Sequence, residues 1–293
     1  MKRLLFLFIA LSFFLFLAWI IFTGKIHFSF SKQKSSFEFN VPTSTSNLPL
    51  PSLSPTPTPT PKPLTFAEMN ALYGPCIRMP VLMYHHIQDR EVAKEKNQLA
   101  LTVTPEYFRK HMQYLKERNY SVLGVNDLVS FFDFQTNLGA KNILITFDDA
   151  YEDFFQNAYP ILREYGYKAM VFVPTGLINN PGYLNWGNIL AMSSGGVSFA
   201  NHTWSHKNVG TSEEILEREI STADLQLSEK GLNSPKVFAY PYGLENQKAV
   251  IYLQKLNYKA AFTTRSGSVL CTKQRYDLPR IRIGNVELSG LGL

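Results

Sequence analysis

The sequence ILITFDD at residues 143–149 predicts a buried strand that ends at two adjacent carboxylates. A continuous apolar run is typical of a parallel strand that is covered on both faces. One aspartate after such a strand could simply cap the next helix, since aspartate is a preferred N-cap residue. A cap needs only one acid, however, and two neighbouring carboxylates repel each other unless a metal ion or a proton separates them. Asp148 and Asp149 are therefore candidates for chemistry.

A second polar cluster, HTWSH at residues 202–206, follows another short apolar strand at residues 197–200. Its two histidines are four residues apart, so both imidazoles can reach one ion from a single turn or tight loop. Alone, such a pair is more often two surface histidines that bind no common ion. Joined to a carboxylate at a strand end, His202 and His206 predict an open three-ligand site for zinc or a similar divalent ion, with the second acid free to act as a base.

The chain around these motifs alternates strands with helices. Seven or eight predicted strands without a Gly-rich phosphate loop favour a parallel barrel over an open dinucleotide-binding sheet. The carboxyl ends of barrel strands meet at one face of the barrel. This topology would therefore bring together the acid pair, the histidine pair, and His85 and His86, which end an early strand.

Several helix features are predicted as well. Thr104 should cap a helix that has proline in its first turn, and Asn126 should cap the next helix. Residues 211–214, TSEE, have capping-box spacing before a long helix that Gly231 ends. His111 lies off the apolar stripe of the first of these helices, so we expect it at the surface.

The first 63 residues predict an anchor followed by a spacer. Residues 4–23 form an uncharged run of 20 residues, and at ~1.5 Å per residue such a run spans the ~30 Å hydrocarbon layer of a bilayer. Bulky side chains continue to its end, unlike a signal-peptide cleavage site. We therefore expect residues 1–24 to be a cytoplasmic tip and an uncleaved single-pass anchor in the cell membrane, with an extracytoplasmic domain.

The spacer covers residues 25–63 and is rich in Ser, Thr and Pro. Its second half, residues 42–63, contains eight prolines and nothing that could form a core, so we expect it to be disordered. The folded domain should then span residues 64–293. The formal net charge of +6 is dispersed and no nucleic-acid motif is present, so no nucleic-acid partner is expected. Cys76 and Cys271 are the only cysteines; whether they are close enough for a disulfide is open at this point.

Three ordered motifs in this chain resemble those of the polysaccharide deacetylase family of carbohydrate esterases, which share the chitooligosaccharide deacetylase homology domain. TFDDA at residues 146–150 resembles Thr-Phe-Asp-Asp-Gly, HTWSH resembles His-Ser/Thr-x-x-His, and AYPYG at residues 239–243 resembles Arg-x-Pro-Tyr-Gly. VLMYHHI at residues 81–87 and LPRI at residues 278–281 are similar to the branch that includes poly-N-acetylglucosamine deacetylases. The resemblance covers residues 80–284.

This resemblance implies a distorted (β/α) barrel of about seven parallel strands. It also implies metal-dependent, hydrolytic removal of N-acetyl groups from N-acetylhexosamine units of a cell-surface or wall polysaccharide, with zinc as the expected ion. Asp148 would be the general base, and Asp149, His202 and His206 the metal ligands. Two other functions stay open, namely glycan binding without catalysis and metal-dependent hydrolysis of another bond such as a phosphoester.

Further residues are candidates for the site, and the resemblance implies the first of these roles. The backbone N–H of Tyr242 would stabilise the oxyanion, and the side chains of Tyr242 and Trp204 would contact the sugar. Trp186 is a further candidate for the sugar groove. For Tyr242, Trp204 and Trp186, packing in the core is the alternative. The general acid in this family is usually a histidine. His85 is the favoured candidate, held in its protonated form by the adjacent acids, with hydrogen bonding to Asp148 or a metal ligand as its alternative role.

Two positions depart from the family motifs. Ala150 replaces the usual glycine, which is a mild change if its φ is negative. Ala239 stands where relatives carry an arginine that orients the base, so another cation should do this. Arg280 and Arg282 are the candidates, and a plain surface role is the alternative for both.

Overall fold

A closed barrel of seven parallel strands forms the centre of the computed structural model, which describes residues 62–210 and 212–293. The strands are β1 (Cys76–Arg78), β2 (Val81–Tyr84), β3 (His86–Ile87), β4 (Thr102–Val103), β5 (Ser121–Val122), β6 (Asn142–Phe147), β7 (Ala169–Val173), β8 (Val197–Asn201), β9 (Val237–Ala239), β10 (Ala260–Ser266), β11 (Val269–Cys271) and β12 (Leu278–Arg282). The helices are α1 (Phe66–Tyr73), α2 (Arg90–Glu95), α3 (Pro105–Glu117), α4 (Val125–Phe134), α5 (Tyr159–Tyr165), α6 (Trp186–Ser193), α7 (Glu213–Ser228) and α8 (Gln247–Lys255).

Parallel pairing runs around the barrel in the order β2, β6, β7, β8, β9, β10 and β12, and β12 pairs again with β2. Strand β5 adds to the beginning of β6. The expectation of about seven parallel strands is confirmed. Because all strands of the barrel point the same way, their carboxyl ends and the loops that follow them lie at one face.

The central strand β6 is buried along its whole length, as its apolar run predicts. Alternate side chains enter two different clusters: Ile143, Ile145 and Phe147 pack with residues of α3 and α5, whereas Leu144 packs with side chains of neighbouring strands. Since side chains alternate along a strand, Thr146 and Asp148 continue the row of Leu144. Asp148 is thereby directed to the inner side of the barrel mouth.

The helix ends agree with the sequence in part. Thr104 caps α3, which has proline at its first turn. The predicted cap Asn126 is wrong, because Gly124 is the N-cap of α4 and its N–H donates to the Asp127 side chain. The cap of α7 is Ser212, whose hydroxyl accepts from the backbone N–H of Ile215. The predicted capping box is therefore wrong, because the residue three positions after the true cap is Ile215 and not a glutamate.

The expectation that His111 lies at the surface is wrong. This residue is buried, with Nδ1 3.1 Å from the Tyr84 hydroxyl and Nε2 2.8 Å from the carbonyl oxygen of Val286. The carboxyl-terminal segment causes the burial, since the Tyr114 hydroxyl also donates to the carbonyl of Leu293 at 2.6 Å. Helix periodicity alone cannot show that a distant segment covers the polar side of α3.

A small two-stranded sheet joins the two ends of the described chain. Strands β1 and β11 pair in an antiparallel arrangement in which Cys76 is opposite Cys271. The two residues form a disulfide across a sequence separation of 195 residues. The question that the sequence left open is thus answered by a strand pairing that the sequence did not predict.

The predicted anchor at residues 1–24 and nearly all of the predicted spacer lie outside the described residues. Within residues 62–210 and 212–293, no helix combines the length and the apolar character needed to cross a membrane.

Candidate metal centre and active site

Three side chains converge at the carboxyl-terminal face of the barrel. Asp149 follows β6, and His202 and His206 lie on the loop after β8. Oδ1 of Asp149 is 3.0 Å from Nε2 of His206 and 3.5 Å from Nε2 of His202. One donor atom from each of the three residues lies within 4.8 Å of the other two. The structure thus brings together the three residues that the sequence assigns to a metal ion.

The donor set fits a divalent cation. Nδ1 of His202 is 2.8 Å from the carbonyl oxygen of Ala239, which can only accept, so Nδ1 carries the proton and Nε2 presents a lone pair. Oδ1 of Asp149 is buried and, among the described residues, accepts no well-aligned hydrogen bond. Two imidazole nitrogens and one carboxylate oxygen that face one another in this way are ligands that zinc and similar ions take, with coordination positions left open.

The backbone around this centre adopts unusual conformations. Asp149, Thr203, His206 and Tyr242 have φ values of +72°, +68°, +58° and +61°. This left-handed region costs a non-glycine residue roughly 1–2 kcal/mol, and it persists only where the surrounding contacts enforce it. Ala150 also has a positive φ, +54°. The condition under which its replacement of glycine would be mild is therefore not met.

Asp148 is held by Arg280 of β12. Nη1 and Nη2 of the arginine each lie 2.7 Å from one carboxylate oxygen, and Nε donates to the carbonyl of Thr263 at 2.9 Å. Burial raises the pKa of the Asp148 carboxyl, but the charge and hydrogen bonds of Arg280 outweigh this effect and keep the pKa below its usual value. Asp148 is therefore ionised near neutral pH. The other candidate cation, Arg282, is exposed.

His85 and His86 point to different surroundings. Nε2 of His85 is 4.0 Å from Oδ2 of Asp148, whereas Nδ1 of His86 is 2.6 Å from Oδ2 of Asp153. The His86 ring stacks on Tyr151 with 3.7 Å between ring centroids. Burial lowers the pKa of His85, and the neighbouring carboxylates do not overcome this. The expectation that they keep His85 protonated is wrong, because burial lowers the pKa more than the two carboxylates raise it, and the charges of Arg282 and Arg280 lower it further.

The sugar-binding candidates are placed differently from one another. Tyr242 is 64% exposed, and its ring centroid lies 4.9 Å from that of His206. A Cβ on the following residue, Gly243, would be 2.1 Å from Oγ1 of Thr264, so only glycine fits there. Trp204 is partly buried and packs closely on Gly176.

Trp186 has a packing role. It is partly buried against the hydrophobic core, and the Nζ of Lys230 lies 4.7 Å from the centre of its ring. Of the two tryptophans considered for the sugar site, only Trp204 belongs to the loop that carries the metal ligands.

Sequence reasoning missed one polar residue beneath this loop. Glu219 of α7 is fully buried, and its carboxylate accepts from both the N–H and the hydroxyl of Ser205. Its position in the sequence could have revealed it. At helical spacing, this charged residue shares the buried side of α7 with Leu216, Ile220 and Ala223.

A cleft of about 530 Å³ opens beside the centre. Its walls come from loops that follow barrel strands and combine aromatic, amide and charged side chains, among them His86, Gln88, Tyr151, Glu152 and Tyr183. The metal ligands themselves do not line this cleft. Tyr151 links the two, because burial and the nearby carboxylate of Asp149 raise the pKa of its hydroxyl. The volume lies within the range of small-ligand sites, and the lining is largely polar.

Comparisons with known proteins find similarity to polysaccharide deacetylases. The family model described as polysaccharide deacetylase matches residues 135–261. The Bacillus subtilis protein YxkH, whose name places it among polysaccharide deacetylases, is 27% identical over 207 residues, which are 70% of this chain and 71% of that protein. Poly-β-1,6-N-acetyl-D-glucosamine N-deacetylase of Staphylococcus epidermidis is 23% identical over 230 residues, 70% of this chain and 78% of that protein.

A solved structure shows the same fold. The Streptococcus pyogenes deacetylase PplD, determined in complex with acetate, superposes with a TM-score of 0.67 at 29% identity and covers 73% of this chain and 97% of its own. The match includes the closed parallel barrel. His85 and Arg280 lie outside the stretch that the family model matches, so their placement beside Asp148 comes from the structure of this chain alone.

Proposed function

The chain belongs to the polysaccharide deacetylase family, with poly-N-acetylglucosamine deacetylases among its distant relatives, and from this we propose that it hydrolyses the N-acetyl groups of N-acetylhexosamine units in a surface or wall polysaccharide. The observation that carries the proposal is the convergence of Asp149, His202 and His206 beside an ionised Asp148. In this proposal the three residues hold a divalent ion, zinc being the expected one. When bound, such an ion activates water and polarises a carbonyl oxygen.

Asp148 is the general base in this proposal. A base must be unprotonated at the working pH and able to take a proton from the attacking water. The two hydrogen bonds from Arg280 meet the first requirement and also fix the plane of the carboxylate. Water attacks the acetyl carbon while its proton passes to Asp148.

His85 completes the proton transfer. Its lowered pKa means that the imidazole is largely neutral before the reaction, so it cannot begin as the acid. Nε2 lies 4.0 Å from Oδ2 of Asp148, close enough for the proton taken from water to move on to His85 after a small shift. His85 then delivers this proton to the sugar nitrogen as the carbon–nitrogen bond breaks, giving acetate and a free amine.

Tyr242 supplies two contacts to the substrate in this proposal. Its backbone lies at the rim of the site in a turn, Pro241–Gly243, and its N–H is assigned to the oxyanion that develops on the acetyl oxygen. Its exposed ring, next to His206, is assigned to a face of the sugar together with Trp204. Carbohydrate rings have apolar faces that pack well on such aromatic side chains.

The relatives and the cleft support the proposed substrate class. The S. epidermidis relative is named for poly-β-1,6-N-acetyl-D-glucosamine, and the S. pyogenes relative was determined with acetate. A cleft beside the centre with amide and aromatic walls suits the neighbouring sugar units of a polymer. We assign an N-acetylated glycan as the substrate of this chain.

We also propose that the domain works outside the cytoplasm, anchored by residues 1–24. The uncharged run at residues 4–23 supports this location. The Cys76–Cys271 disulfide supports it too, since disulfides persist in oxidising compartments. If the native chain is purified without residues 1–24, these residues are a cleaved signal peptide and not an anchor.

The test is acetate release by the full chain from three glycans: poly-β-1,6-N-acetylglucosamine, peptidoglycan and chitin oligomers. We expect release from at least one of them and its loss after a chelator has removed the metal. Asp148→Asn protein serves as the control for contaminating enzymes. No acetate from any of the three glycans, with hydrolysis of an aryl phosphoester instead, would overturn the proposal in favour of another metal-dependent hydrolase.

A further inference from the structure

Glu219 is an unusual residue in this fold because its carboxylate is fully buried. The residue is fully buried on α7, and it forms no ion pair within the described part of the chain. Its two oxygens each accept one short hydrogen bond, of 2.7 Å, from Ser205: Oε2 from the backbone N–H and Oε1 from the hydroxyl. Burying a charge is unfavourable unless hydrogen bonds offset the loss of water, and here a single loop residue provides both.

Ser205 immediately precedes the metal ligand His206. The loop between the two histidines is strained, with Thr203 and His206 both in the left-handed region. Its first half is fixed from the barrel side, since Thr203 N donates to Oδ1 of Asn201 at 2.8 Å and the carbonyl of Trp204 accepts from Gly176 N at 2.7 Å. The second half is held by Glu219. Without it, the last residue before the ligand would lose its two anchoring contacts.

We propose that Glu219 is a positioning residue that fixes the loop in the conformation that directs His206 at Asp149, and that it thereby sets the metal affinity of the site. The inference rests on the metal centre of the proposed function. The physical reason is that a left-handed conformation at His206 persists only while neighbouring contacts enforce it. If Ser205 is released, the loop can relax, and the imidazole nitrogen moves away from the 3.0 Å approach to Asp149.

Two variants separate the hydrogen bonds from the charge. Glu219→Gln keeps the shape and an acceptor oxygen for Ser205 N–H, while its amide can donate to the Ser205 hydroxyl. Glu219→Ala removes both contacts. If geometry is what matters, the glutamine variant retains most of the metal affinity and the alanine variant does not. Ser205→Ala, which deletes only the hydroxyl contact, should fall between them.

The measurement is the zinc dissociation constant of the full chain in detergent, obtained by competition with a chromogenic chelator. Partners that orient metal ligands typically contribute about 10–100-fold in affinity, and we expect a loss in this range for Glu219→Ala. Leu227→Ala is the matched control. Leu227 is a fully buried residue of the same helix that makes no hydrogen bond to the loop, so its truncation should lower Tm at least as much while leaving zinc affinity unchanged.

Each outcome is decisive. Unchanged zinc affinity in Glu219→Ala, or an equal loss in Leu227→Ala measured well below its Tm, would overturn the positioning role. If the alanine variant does not fold, Ser205→Ala and Glu219→Gln replace it in the comparison. If both of these variants then bind zinc as tightly as the wild type, Glu219 contributes to stability alone. A wild-type chain that binds zinc but releases no acetate contradicts the proposed reaction and leaves the positioning role intact, whereas a wild-type chain that binds no zinc overturns both.

Discussion

Arg280 and Asp148 form a fully buried, two-point ion pair between strands β12 and β6, with both oxygen–nitrogen distances at 2.7 Å. These two strands are not neighbours, because β2 lies between them in the barrel. The arginine thus reaches across the barrel mouth to the residue that the motif TFDDA presents. The family motif that resembles AYPYG carries its arginine at the position of Ala239 on β9, so this chain obtains the same charge from a different strand.

The first prediction concerns this pair. Arg280→Lys removes the planar two-point contact with Asp148. A lysine ammonium lies farther from the carboxylate and lowers its pKa less, so the pKa of Asp148, which burial raises, should increase. Asp148 is active when ionised, so the acid limb of the pH–rate profile for acetate release should move to higher pH, with kcat/KM reduced at pH 6. Arg282→Lys is the control, since Arg282 is exposed. An unchanged acid limb in Arg280→Lys would show that this arginine does not control the ionisation of the general base.

The second prediction separates the two neighbouring acids. Asp148→Asn should keep zinc binding and lose acetate release by ~10²–10⁴-fold, the usual contribution of a general base. Asp149→Asn should lose zinc binding as well, since it removes a ligand. Metal content and acetate release of both purified variants decide this. If Asp148→Asn is the variant that loses the metal, the roles of the two acids are exchanged.

The third prediction concerns proton delivery to the leaving group. His85→Gln should slow acetate release from an N-acetylated glycan, in which the amine needs a proton to leave. The same variant should be nearly unimpaired on an aryl acetate, whose phenolate leaves without one. His111→Gln is the matched control, because the His111 imidazole is bound to the Tyr84 hydroxyl and the Val286 carbonyl and lines neither the metal centre nor the cleft. Equal losses on both substrates would assign His85 to a step other than protonation of the amine.

The fourth prediction concerns the disulfide. Cys76→Ser combined with Cys271→Ser should lower the free energy of unfolding by about 2–5 kcal/mol, because the bond closes a long loop and restricts the unfolded chain. The disulfide joins β1 and β11, outside the barrel. Acetate release at 25 °C should therefore stay close to that of the wild type. Chemical denaturation of both proteins gives the difference, and a midpoint that does not move would contradict the prediction.

The sequence predicted those parts of the site that are local in the chain. The apolar run of β6 ends directly at Asp148 and Asp149, and the two histidines share one loop, so strand periodicity and barrel topology suffice to bring them together. The spacing of the motifs was therefore enough to predict that the acids and the histidines meet. Here the structure adds distances and the tautomer of His202, which depends on the carbonyl of Ala239.

Features that depend on contacts between segments separated in the chain could not be predicted from the sequence. The burial of His111 results from the segment at Val286, and Glu219 accepts a hydrogen bond from a loop 14 residues away. The choice between Arg280 and Arg282 required the direction of each side chain on β12. The positive φ of Ala150 has no signature in composition or periodicity.

The most direct test of a metal-dependent deacetylase is a titration of the metal-free chain with zinc, in which acetate release from an N-acetylated glycan is followed at each addition. Our account predicts no release at the start, a linear rise in rate, and a plateau at one zinc per chain, with His206→Ala remaining inactive over the same range. A rate that is independent of added metal, or a plateau that His206→Ala reaches equally, would contradict it.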